Sequence, residues 1–194
     1  MSYADFASIC QTRRVIVAAT DGSSLSNPGP AGWAWYIDEE SWGAGGWPEA
    51  TNNRAELTAV LDLLNQTAGT DEPVHILADS QYVINSLTKW IHNWKRNGWR
   101  TSNKKPVENR DLMEALDSAL AGRRVTFEWV KGHAGHSLNE AADAKASAVA
   151  AAYQAGTTPN CGPGFGADVA DSANIPVVKP NIPARVEPVQ DSLF

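Results

Sequence analysis

Four carboxylates in this 194-residue chain stand where strands end or helices begin. Asp21 follows the β-rich run Val15 to Thr20, and Asp79 follows the apolar run Val74 to Ala78. Glu56 sits in the first turn of one helical stretch and Asp143 in the first turns of another. Gathered in one place, four carboxylates repel one another and raise each other's pKa unless cations neutralise them. Hard oxygen donors of this kind suit Mg²⁺ or Mn²⁺ rather than zinc. Singly, each acid also has an ordinary structural role. Asp21 before Gly22 makes a turn, Glu56 pairs with Asn53 as a capping box, Asp79 caps a helix at Ser80, and Asp143 is a favourable charge near a helix N-terminus. Whether the four form a site depends on the elements that carry them.

The chain opens with three short β-rich runs, Val15 to Thr20, Gly32 to Ile37 and Ser41 to Trp47, separated by the Asp-Gly-Ser turn with the Ser26–Pro30 loop and by an acidic turn. From Asn53 to Gln66 the residues Ala55, Leu57, Val60, Leu61 and Leu64 recur at helical spacing. Val74 to Ala78 then reads as a buried strand, Ser80 to Leu87 and Leu112 to Ala121 as helices, and Val125 to Val130 as a strand. The alanine-rich stretch Leu138 to Tyr153 is the last helix, entered through Ser137 and Glu140 as a second capping box. The order βββ-α-β-α-α-β-α predicts a mixed sheet with helices against it, so strand ends lying side by side could bring the acids together.

The composition, 43% hydrophobic and 20% charged, is that of a soluble globular domain. No basic start leads into an unbroken apolar stretch and no eighteen apolar residues run together, so neither secretion nor membrane insertion is expected. Cys10 and Cys161 lie far apart, without neighbours at zinc-ligand spacing, and read as free thiols of a cytoplasmic protein. The net charge of -6 conceals a segregated basic segment. Lys89, Lys95, Arg96, Arg100, Lys104 and Lys105 include no acid between them, and the rest of the chain, -6 less those six positive charges, carries -12. Trp90, Trp94 and Trp99 are interleaved with these cations, a combination that suits a sugar–phosphate backbone. Trp90 is expected to lie partly in the core, with Trp94 and Trp99 more exposed. His133 and His136 share a Gly-flanked loop, and a zinc site there would want further His or Cys nearby, which the sequence lacks.

These segments resemble type 1 ribonuclease H of bacteria. The resemblance rests on Asp21-Gly22-Ser23 with Asn27-Pro28-Gly29-Pro30-Ala31-Gly32, and on Thr51-Asn52-Asn53-Arg54-Ala55-Glu56-Leu57. It continues through Ala78-Asp79-Ser80-Gln81-Tyr82-Val83, Trp90 to Lys95, Lys104 to Val107, and Trp129-Val130-Lys131-Gly132-His133-Ala134-Gly135-His136, with Asn139 and Asp143 completing the series. Ordered blocks over about residues 12 to 153 are far more specific than any single motif.

The resemblance implies a ribonuclease H-like α/β fold, a five-stranded mixed sheet with three antiparallel strands followed by parallel ones and helices on both faces. It implies an endoribonuclease that hydrolyses the RNA strand of RNA–DNA hybrids and leaves 5′-phosphate and 3′-hydroxyl ends, serving to remove R-loops and RNA primers. Asp21, Glu56, Asp79 and Asp143 would hold two Mg²⁺, with Mn²⁺ as a substitute. His133 would assist proton transfer or product release, while His136 is structural. Gly22, Ser23, Asn27, Thr51, Asn52, Asn53, Gln81 and Asn139 match positions that meet the hybrid, where short amides and hydroxyls can recognise a 2′-hydroxyl. Trp90, Trp94, Lys95, Arg96, Trp99, Lys104 and Lys105 match a basic protrusion that grips the DNA strand. Glu49 departs from the pattern, standing two residues before Thr51 where well-studied bacterial members place a basic residue. Another nuclease or transposase of the same superfold is disfavoured by the histidine loop and the basic Trp segment, and a catalytically dead hybrid-binding module by the presence of all four acids.

The catalytic domain is thus expected over residues 1–153, acting as a monomer. From 154 to 189 Gly, Pro and Asn accumulate, which predicts a disordered linker. The final Gln190-Asp191-Ser192-Leu193-Phe194 resembles the peptide by which many bacterial replication proteins bind the sliding clamp, with Gln190, Leu193 and Phe194 as the contact residues.

Overall fold

The structure, a computed structural model, describes residues 14–166. Its elements are β1 (Ile16–Ser24), β2 (Gly29–Asp38), β3 (Ser41–Ala50), α1 (Asn52–Gln66), β4 (Val74–Ala78), α2 (Gln81–Asn85), a π-helical turn (Ser86–Trp90), α3 (Ile91–Arg96), α4 (Arg110–Leu120), β5 (Val125–Trp129) and α5 (Ser137–Ala155). The sheet runs β3-β2-β1-β4-β5, with β1, β2 and β3 antiparallel and β1, β4 and β5 parallel. This is the mixed five-stranded sheet that the sequence predicts.

Alternation along the strands sorts the core into two layers. Ala18 and Trp35 join Leu57, Leu63, Leu64, Met113 and Leu116 beneath α1 and α4. Ala19, Tyr36, Ala34 and Ala44 face the other way, onto Ala142, Ala146 and Val149 of α5. Small residues let α5 lie close to the sheet. A Cβ at Gly32 would overlap the carbonyl of Ala146 and come within 2.8 Å of the Ala150 amide, which explains why this helix is alanine-rich and why Gly32 opposes it.

Several local expectations are corrected. β1 continues past Asp21 to Ser24, because β2 goes on pairing with it, Asp21 opposite Ala34 and Gly22 opposite Trp33. The helix expected over 80–87 instead extends through the π turn into α3 and ends at Arg96. Thr51, not Asn53, caps α1, its hydroxyl accepting from the Arg54 amide at 3.3 Å. The Ser137–Glu140 capping box does not form. His136 is the N-cap and makes no side-chain bond, while Glu140 accepts from the Gly135 amide at 2.9 Å.

Helix α5 runs to Ala155, and Gly156 in the left-handed region (φ +67°) turns the chain back. Residues 156–166, assigned from composition to the linker, lie along the outer edge of β3. Ala44 donates to the Cys161 carbonyl at 2.9 Å, Gly164 donates to the Trp42 carbonyl at 3.0 Å, and Phe165 packs on the α1-side core. An edge strand presents unpaired backbone groups, and this segment satisfies two of them. Cys161 is free and exposed. Cys10, the remaining linker and Gln190–Phe194 lie outside the described residues. Among the described residues no helix is long and apolar enough to cross a membrane.

Candidate active site

Parallel pairing of β1 with β4 sets Thr20 beside Ala78, so the next residue on each strand, Asp21 and Asp79, emerges at the same end of the sheet. Helix α1 brings Glu56 over them. This approach requires Gly22, since a Cβ there would overlap the Glu56 backbone amide and lie 2.9 Å from the Ala55 carbonyl carbon. The result is a trio in which one oxygen of each of Asp21, Glu56 and Asp79 lies within 4.8 Å of the other two. Asp21 and Glu56 are buried, at 6% and 5% exposure. The Gly22 amide donates to Asp21 Oδ1 at 2.7 Å, and Asn52 Nδ2 donates to Glu56 Oε1 at 3.4 Å.

The electrostatics follow from this crowding. Burial first, then Asp79 and Asp143, push the Asp21 carboxyl from 3.8 to about 7, against the Gly22 hydrogen bond. Burial, then Asp21 and Asp79, hold Glu56 well above the usual carboxylate range. Asp79 is raised too, by burial above all. A crowded, largely buried all-oxygen carboxylate cluster is the donor set that a divalent cation stabilises.

Asp143 lies outside the tight trio but faces it from α5, close enough to raise both Asp21 and Asp79. Its Oδ2 is 3.5 Å from His133 Nδ1, and the Ser147 hydroxyl links its Oδ1, at 3.3 Å, to Ser23 at 3.1 Å. His133 is held at φ +52° in a loop with Gly135 at φ +82°, its side chain 82% exposed. Gly132 lets this loop begin against Asp79, for a Cβ would sit 2.5 Å from Asp79 Oδ2. Two residues at the site went unassigned from sequence. Ser147 stands one helical turn after Asp143, a spacing that could have found it. Trp129 donates its indole N–H to the Asp79 carbonyl at 3.0 Å, an arrangement that no spacing predicts.

Of the residues expected at the hybrid, Gly22, Ser23, Asn27, Thr51, Asn52 and Asn53 gather where the β1–β2 loop meets α1, with Asn27 Oδ1 accepting from the Asn52 amide at 3.2 Å. Gln81 is exposed at the start of α2. Asn139 is 2% exposed, and its Oδ1 has no partner among the described residues. The tryptophan order is reversed. Trp90 is 40% exposed, whereas Trp94 and Trp99 pack on the core, because the Trp99 amide turns back to the Trp94 carbonyl at 2.7 Å with Gly98 and Trp99 at positive φ. Lys95 pairs with Asp117 at 2.6 Å, while Arg96, Lys104 and Lys105 are exposed.

Comparison with known proteins places this arrangement. The RNase H family model matches residues 13–151. Ribonuclease H of Tropheryma whipplei (strain Twist) is 53% identical over 154 residues, covering 79% of this chain and 96% of that protein. Ribonuclease H of Nitrobacter hamburgensis (strain DSM 10229 / NCIMB 13809 / X14) is 50% identical over 130 residues, covering 64% and 83%. Among solved structures, LC9-RNase H1, described as a type 1 RNase H with the type 2 active-site motif, superposes with a TM-score of 0.62 at 28% identity, covering 76% of this chain and 75% of that one.

Proposed function

The chain belongs to the ribonuclease H family, whose members cleave the RNA strand of RNA–DNA hybrids, and we propose that it does so with two Mg²⁺ held by Asp21, Glu56, Asp79 and Asp143. The observation that carries this reading is the trio of carboxylates within 4.8 Å of one another, Asp21 and Glu56 buried and Asp79 half-buried, each raised in pKa and faced by a fourth. Mn²⁺ has the same donor preference and would substitute. When bound, the ions supply the positive charge that activates the attacking water and stabilises the leaving 3′-oxygen, giving 5′-phosphate and 3′-hydroxyl ends.

The protein's own residues do the rest. Asn52 and the Gly22 amide orient Glu56 and Asp21. His133, exposed and 3.5 Å from Asp143, moves protons between the site and solvent or helps the product leave. Ser23, Asn27, Asn52, Asn53 and Gln81 present amides and hydroxyls to the minor groove, where a 2′-hydroxyl distinguishes RNA from DNA. The basic segment with Trp90 holds the DNA strand. Removal of R-loops and primer RNA in the cytoplasm by a monomer fits this chemistry.

The test is cleavage of a labelled hybrid beside duplex DNA, duplex RNA and single strands, in which only the hybrid's RNA strand should be cut. In the same assay, replacing Lys95, Arg96, Lys104 and Lys105 together with Ala should raise KM about tenfold or more and lower the slope of its log–log salt dependence by up to about four, with little change in turnover. A fall in turnover at saturating substrate would show that the segment positions the scissile phosphate.

Gln190, Leu193 and Phe194 are proposed to bind a bacterial sliding clamp, the Leu-Phe pair filling an apolar pocket while Gln190 fixes register. Leu193→Ala with Phe194→Ala should abolish binding to purified clamp and leave hybrid cleavage by the enzyme alone as it was. Failure of the wild-type tail peptide to bind well above micromolar concentrations would refute this assignment.

A further inference from the structure

Asp143 approaches the other acids from a helix that polar contacts hold only sparsely. No side chain caps the first turn of α5, and the face it turns to the sheet is made largely of Ala142 and Ala146, packed on Ala19, Ala34 and Ala44. Methyl groups laid on methyl groups bring the helix close but interlock weakly, so they do little to fix its rotation or its position along the sheet. Asp143 also faces like charges, being close enough to Asp21 and Asp79 to raise both. Until a cation intervenes, that repulsion pushes its carboxylate outward.

Ser147 opposes both tendencies. One helical turn on from Asp143, it lies on the same face of α5, and its Oγ is 3.3 Å from Asp143 Oδ1 and 3.1 Å from Ser23 Oγ. Ser23 stands two residues past Asp21 on β1, so alternation sets both on the face that α5 covers. Among the described residues this is the one side-chain hydrogen bond between α5 and the sheet. A hydroxyl has a single proton to give, and a carboxylate is the stronger acceptor. Ser147 therefore donates to Asp143 and accepts from Ser23, an oriented chain that starts on the strand of one acid and ends on the carboxylate of another. Resting on the assignment of the four acids as metal ligands, we propose that Ser147 is a positioning residue of the active site, fixing Asp143 toward the other three acids from an anchor on Ser23. It touches neither substrate nor reacting atoms. Its contribution is to have the fourth ligand in place before a cation arrives, as outer hydrogen-bond partners do for ligating carboxylates.

The experiment titrates Mn²⁺ into the full chain by calorimetry, without hybrid, for the wild type, Ser147→Ala, Asp143→Asn and the double variant. Alanine is the better helix former, so α5 stays intact in Ser147→Ala. That variant should bind Mn²⁺ about tenfold more weakly, the usual scale for losing a hydrogen-bond partner of a ligating group. In the Asp143→Asn background the same substitution should change affinity by less than about twofold, since Ser147 acts through the carboxylate alone. Hybrid cleavage supplies a second readout, in which Ser147→Ala should lower turnover about tenfold at limiting Mg²⁺ and much less at saturating Mg²⁺, with KM for the hybrid unchanged. Wild-type Mn²⁺ affinity in Ser147→Ala overturns the proposal, as does an equal loss with and without the Asp143 carboxylate, which would make Ser147 a general brace of the helix. A raised KM with turnover intact overturns it too, because Ser147 would then serve hybrid binding through Ser23. Asp143→Asn binding Mn²⁺ as tightly as the wild type would remove the fourth acid from the ligand set and this proposal with it, a result distinct from the others, in which Asp143→Asn is impaired.

Discussion

Asp21→Asn should lose at least about a thousandfold in Mg²⁺-dependent cleavage and yet be more stable than the wild type when metal is absent. On the proposed two-ion reading, the loss follows from removing a charged ligand from a site whose cations would supply several kcal/mol of transition-state stabilisation, each 1.36 kcal/mol being tenfold in rate. The gain in stability follows from the raised pKa of Asp21, from 3.8 to about 7, caused by burial, Asp79 and Asp143. Below pH 4 this carboxyl is neutral in folded and unfolded chains and costs nothing. As pH rises through 4 the unfolded chain releases its proton while the folded chain keeps it, so stability falls until the folded group also ionises near 7. Above that the loss levels off at about 4 kcal/mol. An amide does not ionise and escapes the loss. Denaturant unfolding with chelator present should therefore favour Asp21→Asn strongly at pH 8 and much less at pH 5, and adding Mg²⁺ at pH 8 should stabilise only the wild type substantially. Equal stabilities at pH 8 without metal would mean that the cluster carries no buried charge to relieve.

Gly22→Ala should cost about a hundredfold in turnover although it alters no ligand. The added methyl would occupy the space of the Glu56 amide and approach the Ala55 carbonyl carbon to 2.9 Å, and neither is a flexible side-chain end that can swing away. Helix α1 must back off from β1 and carry Glu56 away from Asp21 and Asp79. A displacement near 1 Å at a catalytic group is worth about two orders of magnitude, and overpacking of this kind costs about 1–3 kcal/mol of stability. Gly69→Ala is the matched control, since a Cβ there meets nothing within 4 Å. Turnover of Gly22→Ala within a few fold of Gly69→Ala would show that the contact between β1 and α1 does not set the spacing of the acids.

Much of the architecture was legible in one dimension. Short β-rich and apolar runs and the helical spacing of Ala55, Leu57, Val60 and Leu64 are local consequences of which residues must be buried, and they yielded the element order and with it the mixed sheet. The acids could be named because each stands in an ordered block of residues resembling one family, and three of them meet within 4.8 Å. Boundaries and caps were less legible, since they depend on partners. Asp21 lies inside β1 rather than at its end because Ala34 is there to pair with it, and Thr51 rather than Asn53 caps α1.

The sequence by itself determined which residue types were available and, through periodicity, which elements would carry them. Only the tertiary structure decided how much water each one keeps. The same carboxyl chemistry becomes a raised group in Asp21 and an ion-paired one in Asp111, whose carboxyl is lowered by Arg54, because burial and neighbouring charge act through space. Trp90 is left exposed while Trp94 and Trp99 are folded onto the core by a backbone turn. Residues 156–166, polar and Gly-Pro-rich enough to suggest a linker, lie in order against β3 because an open sheet edge offers hydrogen bonds that composition cannot reveal.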